Sequence, residues 1–419
     1  MTKIPNDLNK VLYRSYSTCS NLKKTHKNTN KRGMVNSIFE LCDFFLNAKK
    51  YKSDVVFFTY GVNRVEKNGI SFNKFSDSLS SLNPSLKYIN FEDEKISRSF
   101  CKDYGVVNRN ISFLDFSSKI ISRLFNIKIG KLDANSYEEY LSKFGKKNKA
   151  QYILYYFSIK AILKVVQPKI VFVTNWYSIR SMSIISVAHD LGITVVDIQH
   201  GLSAANNHRC YINLSCINEN ILPNYFFCWS KKDKRVIDEQ FESDRAIETG
   251  RVWRFLPKEA IALPFEKVKP IVLLICGLDL PSWFSKLEEK VQNKYDFLIR
   301  PHPTFGLSQE SIAFLNKVNN VYIHEHGSLE DVLDYAACCL GEWSAGLVEA
   351  QENGTVTIAY GAEACKYFQN SKILCTDDFD SLVNYLLNYG KYTDLQELNV
   401  TKYEDNISRF ISEKFNAEQ

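Results

Sequence analysis

What the chain lacks narrows its class before any motif is read. No uninterrupted apolar stretch approaches the roughly 20 residues that a bilayer-crossing helix needs, so any work at a membrane is expected from its surface. No apolar run follows the charged start Met1-Thr-Lys-Ile-Pro-Asn-Asp, so no secretory leader is expected. Eleven cysteines are present, yet no CxxC pair and no Cys/His spacing suits a zinc site. Several of them, such as Cys276, Cys338 and Cys339, sit in apolar runs where a thiol behaves as a small buried hydrophobe. A reduced cytoplasmic protein is the expectation. An excess of one charge is also missing: 53 basic and 47 acidic residues leave +6, short of the clustered surplus of a nucleic-acid binder. The densest basic cluster, Lys23 to Arg32, reads as an exposed loop or helix end, or as a contact for anionic lipid or an anionic acceptor. Internal repeats and low-complexity segments are absent.

At 419 residues the chain exceeds what one core usually fills, so two domains are expected. Strand-like runs alternate with helical patterns, which implies parallel sheets covered by helices. Asp54 to Tyr60, Lys169 to Asn175 and Thr194 to Gln199 read as strands, and Ser181 to Leu191 as a helix stopped by Gly192. Residues 62–150 are polar and irregular and read as helices and loops inserted in the first domain. Tyr137 to Phe157 reads as one helix, with a second running to Val166. A new strand, Lys269 to Gly277, opens the second domain; Tyr295 to Arg300, Val321 to His324 and Thr355 to Tyr360 continue it. Helices are expected over Ser328 to Tyr335, Ser344 to Asn353, Asp380 to Tyr389 and Asn406 to Phe415. The expected division is 1–255, 256–390 and a C-terminal helical tail, 391–419.

Three polar clusters fall at the ends of expected strands, where ligands of open α/β sheets bind. The first is Asp197-Ile-Gln-His-Gly201, trailed by Asn206, Asn207, His208 and Arg209. Strand alternation puts Asp197 and Gln199 on one face and Ile198 and His200 on the other. The second is Ile299-Arg-Pro-His-Pro-Thr304, where two prolines hold the backbone around His302. Arg300 and His302 are both suited to donate to phosphate oxygens. The third is Gly341-Glu-Trp-Ser-Ala-Gly-Leu-Val-Glu-Ala350, followed by Gly354. Ser344 is a natural helix N-cap there. The small residues Ala345 and Gly346 leave first-turn amides open to an anion, and Glu349 can reach a sugar hydroxyl.

Gln-His-Gly, then Arg-Pro-His-Pro, then Ser-Ala-Gly-Leu-Val-Glu-Ala with a trailing Gly resembles bacterial GT-B glycosyltransferases of capsule and lipopolysaccharide assembly. The order is most similar to the Kdo transferases and, more distantly, to bacterial sialyl- and polysialyltransferases. The resemblance covers roughly residues 165–365, and it departs from the pattern at Glu342-Trp343, where a second serine or a small residue is common. It implies an α/β GT-B fold, two Rossmann-like domains facing across a cleft. The second domain is then expected to hold a nucleotide-sugar through Arg300, His302, Ser344, Ala345, Gly346 and Glu349. The first is expected to hold the acceptor at Gln199, Gly201, Asn207 and His208, with His200 and Asp197 catalytic beside His302.

Glycosyl transfer needs the leaving phosphate stabilised, and a base or a carboxylate nucleophile. No Asp-x-Asp adjoins the motifs, so no metal is expected. The Kdo-transferase resemblance implies a CMP-sugar, favoured over UDP or GDP, and no cofactor beyond that co-substrate. The partners expected are a lipid-linked glycan acceptor, an O-antigen or capsular chain, and the cytoplasmic face of the inner membrane. Three other readings stay open: a CDP-polyol phosphotransferase, a nucleotide-sugar epimerase of GT-B fold, and a non-catalytic sugar-nucleotide-binding subunit. Asp197 itself is open between nucleophile, base or orienting partner of His200, and structural residue.

Overall fold

The computed structural model describes residues 47–60, 63–67, 70–92, 106–111, 137–201, 209–252, 269–291, 293–302, 306–325, 329–368, 371–395 and 401–416. The basic cluster Lys23 to Arg32 lies outside them. The chain divides into two units: Met1–Arg64, Ser71–Leu256 and Thr401–Gln419 form one, and Val65–Ile70 with Pro257–Val400 the other.

In chain order the strands of the first half are β1 (Val55–Phe58), β2 (Arg64–Lys67), β3 (Ile70–Asn73), β4 (Tyr88–Glu92) and β5 (Val106–Asn110). They continue with β6 (Ile170–Val173), β7 (Thr194–Ile198), β8 (Tyr225–Cys228) and β9 (Ala246–Glu248). Helices α1 (Ser76–Leu82), α2 (Tyr137–Val166), α3 (Ile179–Asp190) and α4 (Lys231–Asp238) lie between them. β2 and β3 pair with each other, and the other seven form one sheet in the order β5-β4-β1-β6-β7-β8-β9. All pairings in that sheet are parallel.

β1 and β6 are continuous apolar runs because both sheet faces are covered, the usual condition of a parallel strand. Tyr152, Ile159 and Val166 of α2 join Val171, Ile184 and Trp176 in the first core. Ser178 caps α3 by accepting from the Ser181 amide at 3.0 Å, and Gly192, at φ 71°, takes the left-handed turn that ends it.

The reading of 62–150 as inserted helices and loops is overturned at four strands: β2 and β3 form a two-stranded sheet, and β4 and β5 belong to the main sheet. Polar residues disguised them. Asn90 accepts from Thr59 Oγ1 at 2.9 Å, while Glu92 accepts from Asn73 Nδ2 and Arg64 Nε, both at 2.8 Å. These bonds satisfy groups that would otherwise be costly to bury. The two helices expected over Tyr137 to Val166 are one continuous helix of 30 residues.

The second half carries β10 (Ile271–Ile275), β11 (Asp296–Arg300), β12 (Val321–Ile323), β13 (Ala336–Gly341), β14 (Val356–Tyr360) and β15 (Leu374–Thr376). Its helices are α5 (Phe284–Val291), α6 (Gln309–Leu315), α7 (Leu329–Leu333), α8 (Ala345–Glu352), α9 (Ala362–Phe368) and α10 (Phe379–Leu387). The sheet order is β12-β11-β10-β13-β14-β15, again all parallel. The last helix, α11 (Thr401–Asn416), packs on the first unit: Phe410 stacks edge-on to Phe227 of β8, and Asn406 Nδ2 donates to the Glu248 carbonyl at 2.8 Å.

Gly341 ends β13 where a Cβ would come within 2.9 Å of the Ile275 carbonyl oxygen. A Cβ at Gly277, by contrast, would meet open space. Gly341→Ala is therefore expected to cost about 1–3 kcal/mol of stability, as overpacking does. Gly277→Ala should stay within about 0.5 kcal/mol of wild type. Urea unfolding followed by tryptophan fluorescence separates the two, and equal losses would contradict the packing account.

Candidate functional site

In the second unit, strand order reverses between β10 and β13, and such switch points open a crevice at the strands' carboxyl ends. Cys276, Gly277 and Leu278 leave β10 there, and Glu342, Trp343 and Ser344 leave β13. Ser344 caps α8, its Oγ accepting from the Gly346 amide at 3.2 Å. Ala345 is half-buried and Gly346 buried. A Cβ on Gly346 would stand 2.9 Å from both Ile275 Cδ1 and Leu329 Cδ2. The missing side chain thus draws the first turn of α8 onto the end of β10. Glu342 of the departing Glu-Trp pair accepts from Trp283 Nε1 at 2.7 Å, and Trp343 is 54% exposed.

β11 lies beside β10 and delivers the second cluster. Its end is pinned by the Cys276 amide, which donates to the Arg300 carbonyl at 3.0 Å. Arg300 Nη1 points to His324, within 2.9 Å of its Nδ1 and 3.1 Å of its carbonyl oxygen. Burial lowers the Arg300 pKa, opposed by the carboxylates of Glu349, Asp331, Glu330 and Glu325. Part of the guanidinium is therefore committed within the protein. Glu349, 6% exposed, is one of these balancing carboxylates. His302 is half-buried, and burial holds its pKa below the usual 6.5. A neutral imidazole follows near pH 7, so the charge-assisted contact suggested by sequence requires an anion to draw a proton onto the ring.

In the first unit, Asp197 ends up 1% exposed on β7. Its carboxylate accepts from the Trp176 amide at 3.1 Å and the Tyr211 hydroxyl at 2.9 Å. Burial pushes its pKa up to about 8 despite those two bonds. A buried carboxyl already engaged by two donors suits a structural role. It does not suit the nucleophile, which must reach a sugar.

Gln199 is 3% exposed and braces the turn: Oε1 accepts from the Trp229 amide at 2.8 Å, and Nε2 donates to the Gly201 carbonyl at 2.9 Å. The amide expected to meet the acceptor thus makes two hydrogen bonds within the fold. His200, two residues past the end of β7, is half-buried, as is Gly201. Asn207 and His208 lie outside the described residues.

Sequence reasoning missed the first unit's own switch point, between β1 and β6. Arg180, in the first turn of α3, lies with its guanidinium carbon 3.9 Å from the centroid of the Tyr60 ring, and its Nη2 donates to the Thr59 carbonyl at 2.9 Å. The Tyr60 hydroxyl donates to Ser178 Oγ at 3.1 Å. A cation in the first turn of a helix runs against the helix dipole, and Ser178 before it is a cap type. Those two signals were available in the sequence.

Among the described residues, no group of three or more His, Cys, Asp or Glu side chains is placed to hold a metal ion, and no helix is long and apolar enough to cross a membrane.

With two Rossmann-like α/β sheets, each reversing order beside its first strand, the chain has the GT-B fold. Among solved structures it is similar to the UDP-GlcNAc 2-epimerase of Neisseria meningitidis bound to UDP-GlcNAc, with a TM-score of 0.50 and 14% identity over 86% of this chain and 99% of that one. It is also similar to the glycotransferase of kitacinnamycin, with a TM-score of 0.49 and 10% identity over 87% of this chain and 97% of that one. For MurG of Acinetobacter baumannii the TM-score is 0.46 and the identity 11%, over 86% and 98% of the two chains. No protein-family model matches the sequence, and no curated protein does.

The raised pKa of Asp197 has a definite sign. The folded state holds this proton more tightly than the unfolded chain, so the contribution to stability is full below about pH 3.8 and gone above about pH 8. Asp197→Asn should flatten the fall of stability across that window, measured as the urea midpoint against pH. An unchanged slope would show that Asp197 is ionised in the fold.

Proposed function

We propose that this chain is a glycosyltransferase that takes a sugar from a nucleotide donor and adds it to a bacterial surface polysaccharide. The observation that carries the reading is the β10/β13 switch point, where β10 runs out into an open Gly277, Ser344 caps the start of α8, and β11, paired with β10, ends two residues before His302. Amides at a helix start attract phosphate, and a glycine without a Cβ lets it approach closely. As the glycosidic bond breaks, charge grows on the leaving phosphate. The α8 amides and a protonating His302 answer it.

Arg300 orients His324 and balances Glu349, and contributes the remainder of its guanidinium to the phosphate. His200, half-exposed at the end of β7, is the candidate base for the acceptor hydroxyl, and Asp197 supports its strand from within. No metal enters this scheme, and no cofactor beyond the sugar nucleotide. The motif order favours a CMP donor carrying Kdo or a related acid, and a lipid-linked O-antigen or capsule chain as acceptor at the cytoplasmic face of the inner membrane.

A second reading has its own support, since the epimerase of Neisseria meningitidis shares the fold and binds UDP-GlcNAc. An epimerase converts its donor with no acceptor present. Thermal shift across CMP, CDP, UDP and GDP, followed by turnover with and without glycan acceptor, separates the readings. A CMP preference with acceptor-dependent release of CMP supports the transferase. A UDP preference with acceptor-free isomerisation supports the epimerase.

His302→Ala should weaken nucleotide binding by about 0.5–1.5 kcal/mol near pH 7, the value of a neutral hydrogen bond. Because an anion raises the ring's pKa, wild-type affinity should rise as pH falls through the histidine range, and the alanine variant should lose that rise. Titration calorimetry at pH 6 and pH 8 measures both. Identical pH profiles would remove His302 from the phosphate. Ser344→Ala should cost about 1 kcal/mol of stability as a lost cap and less in binding, since the backbone amides remain. Melting and calorimetry on the same variant check it, and a larger loss in binding than in stability would give Ser344 a direct ligand contact.

A further inference from the structure

We propose that one face of α2 is a docking surface for an anionic lipid bilayer. The helix already buries one side, through Tyr152, Ile159, Leu163 and Val166. The opposite side carries Phe157 at 59% exposure and Ile153 at 37%, one turn apart. Lys146 and Lys149 precede them, and Lys160 and Lys164 follow. At 3.6 residues per turn these six side chains fall within an arc of about 80°, along about 27 Å of helix. Between Gly145 and Val166 the sequence has five lysines and no acidic residue. The carboxylate that approaches this stripe from the neighbouring helix is Asp190, which takes the Tyr156 hydroxyl and lies 3.4 Å from Lys160 Nζ.

An aromatic and a branched aliphatic residue at the centre, with lysines at both ends, match the chemistry of a membrane interface. The apolar pair enters the acyl boundary, the lysine stems lie along it, and their ammonium groups reach the headgroup phosphates. Acidic headgroups complement the basic ends of the stripe, at Lys146 and Lys149 before the apolar pair and Lys164 after it, so the occupant is lipid. The inference deepens the membrane-face part of the proposed function and rests on it, while vesicle binding is read separately from donor turnover.

The test is co-sedimentation of the full chain with vesicles of phosphatidylcholine containing about one-third phosphatidylglycerol, against phosphatidylcholine alone. Wild type should bind the anionic vesicles, release with added salt and leave neutral vesicles unbound. Phe157→Ser combined with Ile153→Ser should lower partitioning at least about ten-fold. Both side chains are outward, so the melting temperature should hold. Lys149→Gln with Lys164→Gln should weaken binding and flatten its salt dependence.

Absence of binding by wild type overturns the proposal. So does undiminished binding by the serine variant, which would move any lipid contact elsewhere, such as to the Lys23 to Arg32 segment. A concentration-dependent dimer that the serine substitutions abolish, seen by sedimentation velocity, would assign the face to a second copy of the chain and overturn it equally.

Discussion

The second unit depends on how closely two chain segments approach at the end of β10. Ile275 is the surface on which they meet. Gly341 passes its carbonyl where a Cβ would stand 2.9 Å away, and Gly346 lies against its side chain at the same distance. Two absent methyl groups thus set the height of α8 over the sheet. That height decides whether the first-turn amides of α8 open onto the switch point. The proposed phosphate site is in this sense a consequence of backbone packing, and its side chains refine it.

Burial decides the chemistry of the titratable groups around both strand ends. His302 is pushed toward its neutral form and Asp197 toward its protonated form by the same loss of water. Asp197 has an amide and a phenol fixed on its oxygens, which suits a structural role. His302 is shifted by burial alone and sits at a strand end, where an arriving anion can draw a proton to it. A group whose charge depends on the ligand suits transfer chemistry, in which phosphate charge grows as the bond breaks.

Much of the fold was legible because parallel strands covered on both faces must be apolar throughout. Val55–Phe58, Ile170–Val173 and Ile271–Ile275 announce themselves in that way. Tyr88–Glu92 and Val106–Asn110 did not, since Asn90 and Glu92 owe their burial to partners distant in sequence, Thr59 and Asn73 among them. The site was legible in part. Asp197 within β7 and Gln199 just past it are buried, while His200, a residue further, is half-exposed where the strand has ended. Ser344 was readable as a cap from its small neighbours. Composition carried no sign that Arg300 would turn toward His324, because that bond depends on β11 and β12 lying side by side.

The central claim is that nucleotide phosphate binds at the start of α8. Hydrogen–deuterium exchange of the full chain, read by mass spectrometry with and without saturating nucleotide, tests it most directly. The account predicts that bound nucleotide slows exchange in the peptide spanning Gly341–Ala350 and in the one spanning Arg300–His302. Nucleotide that binds while exchange in both peptides stays unchanged would contradict it.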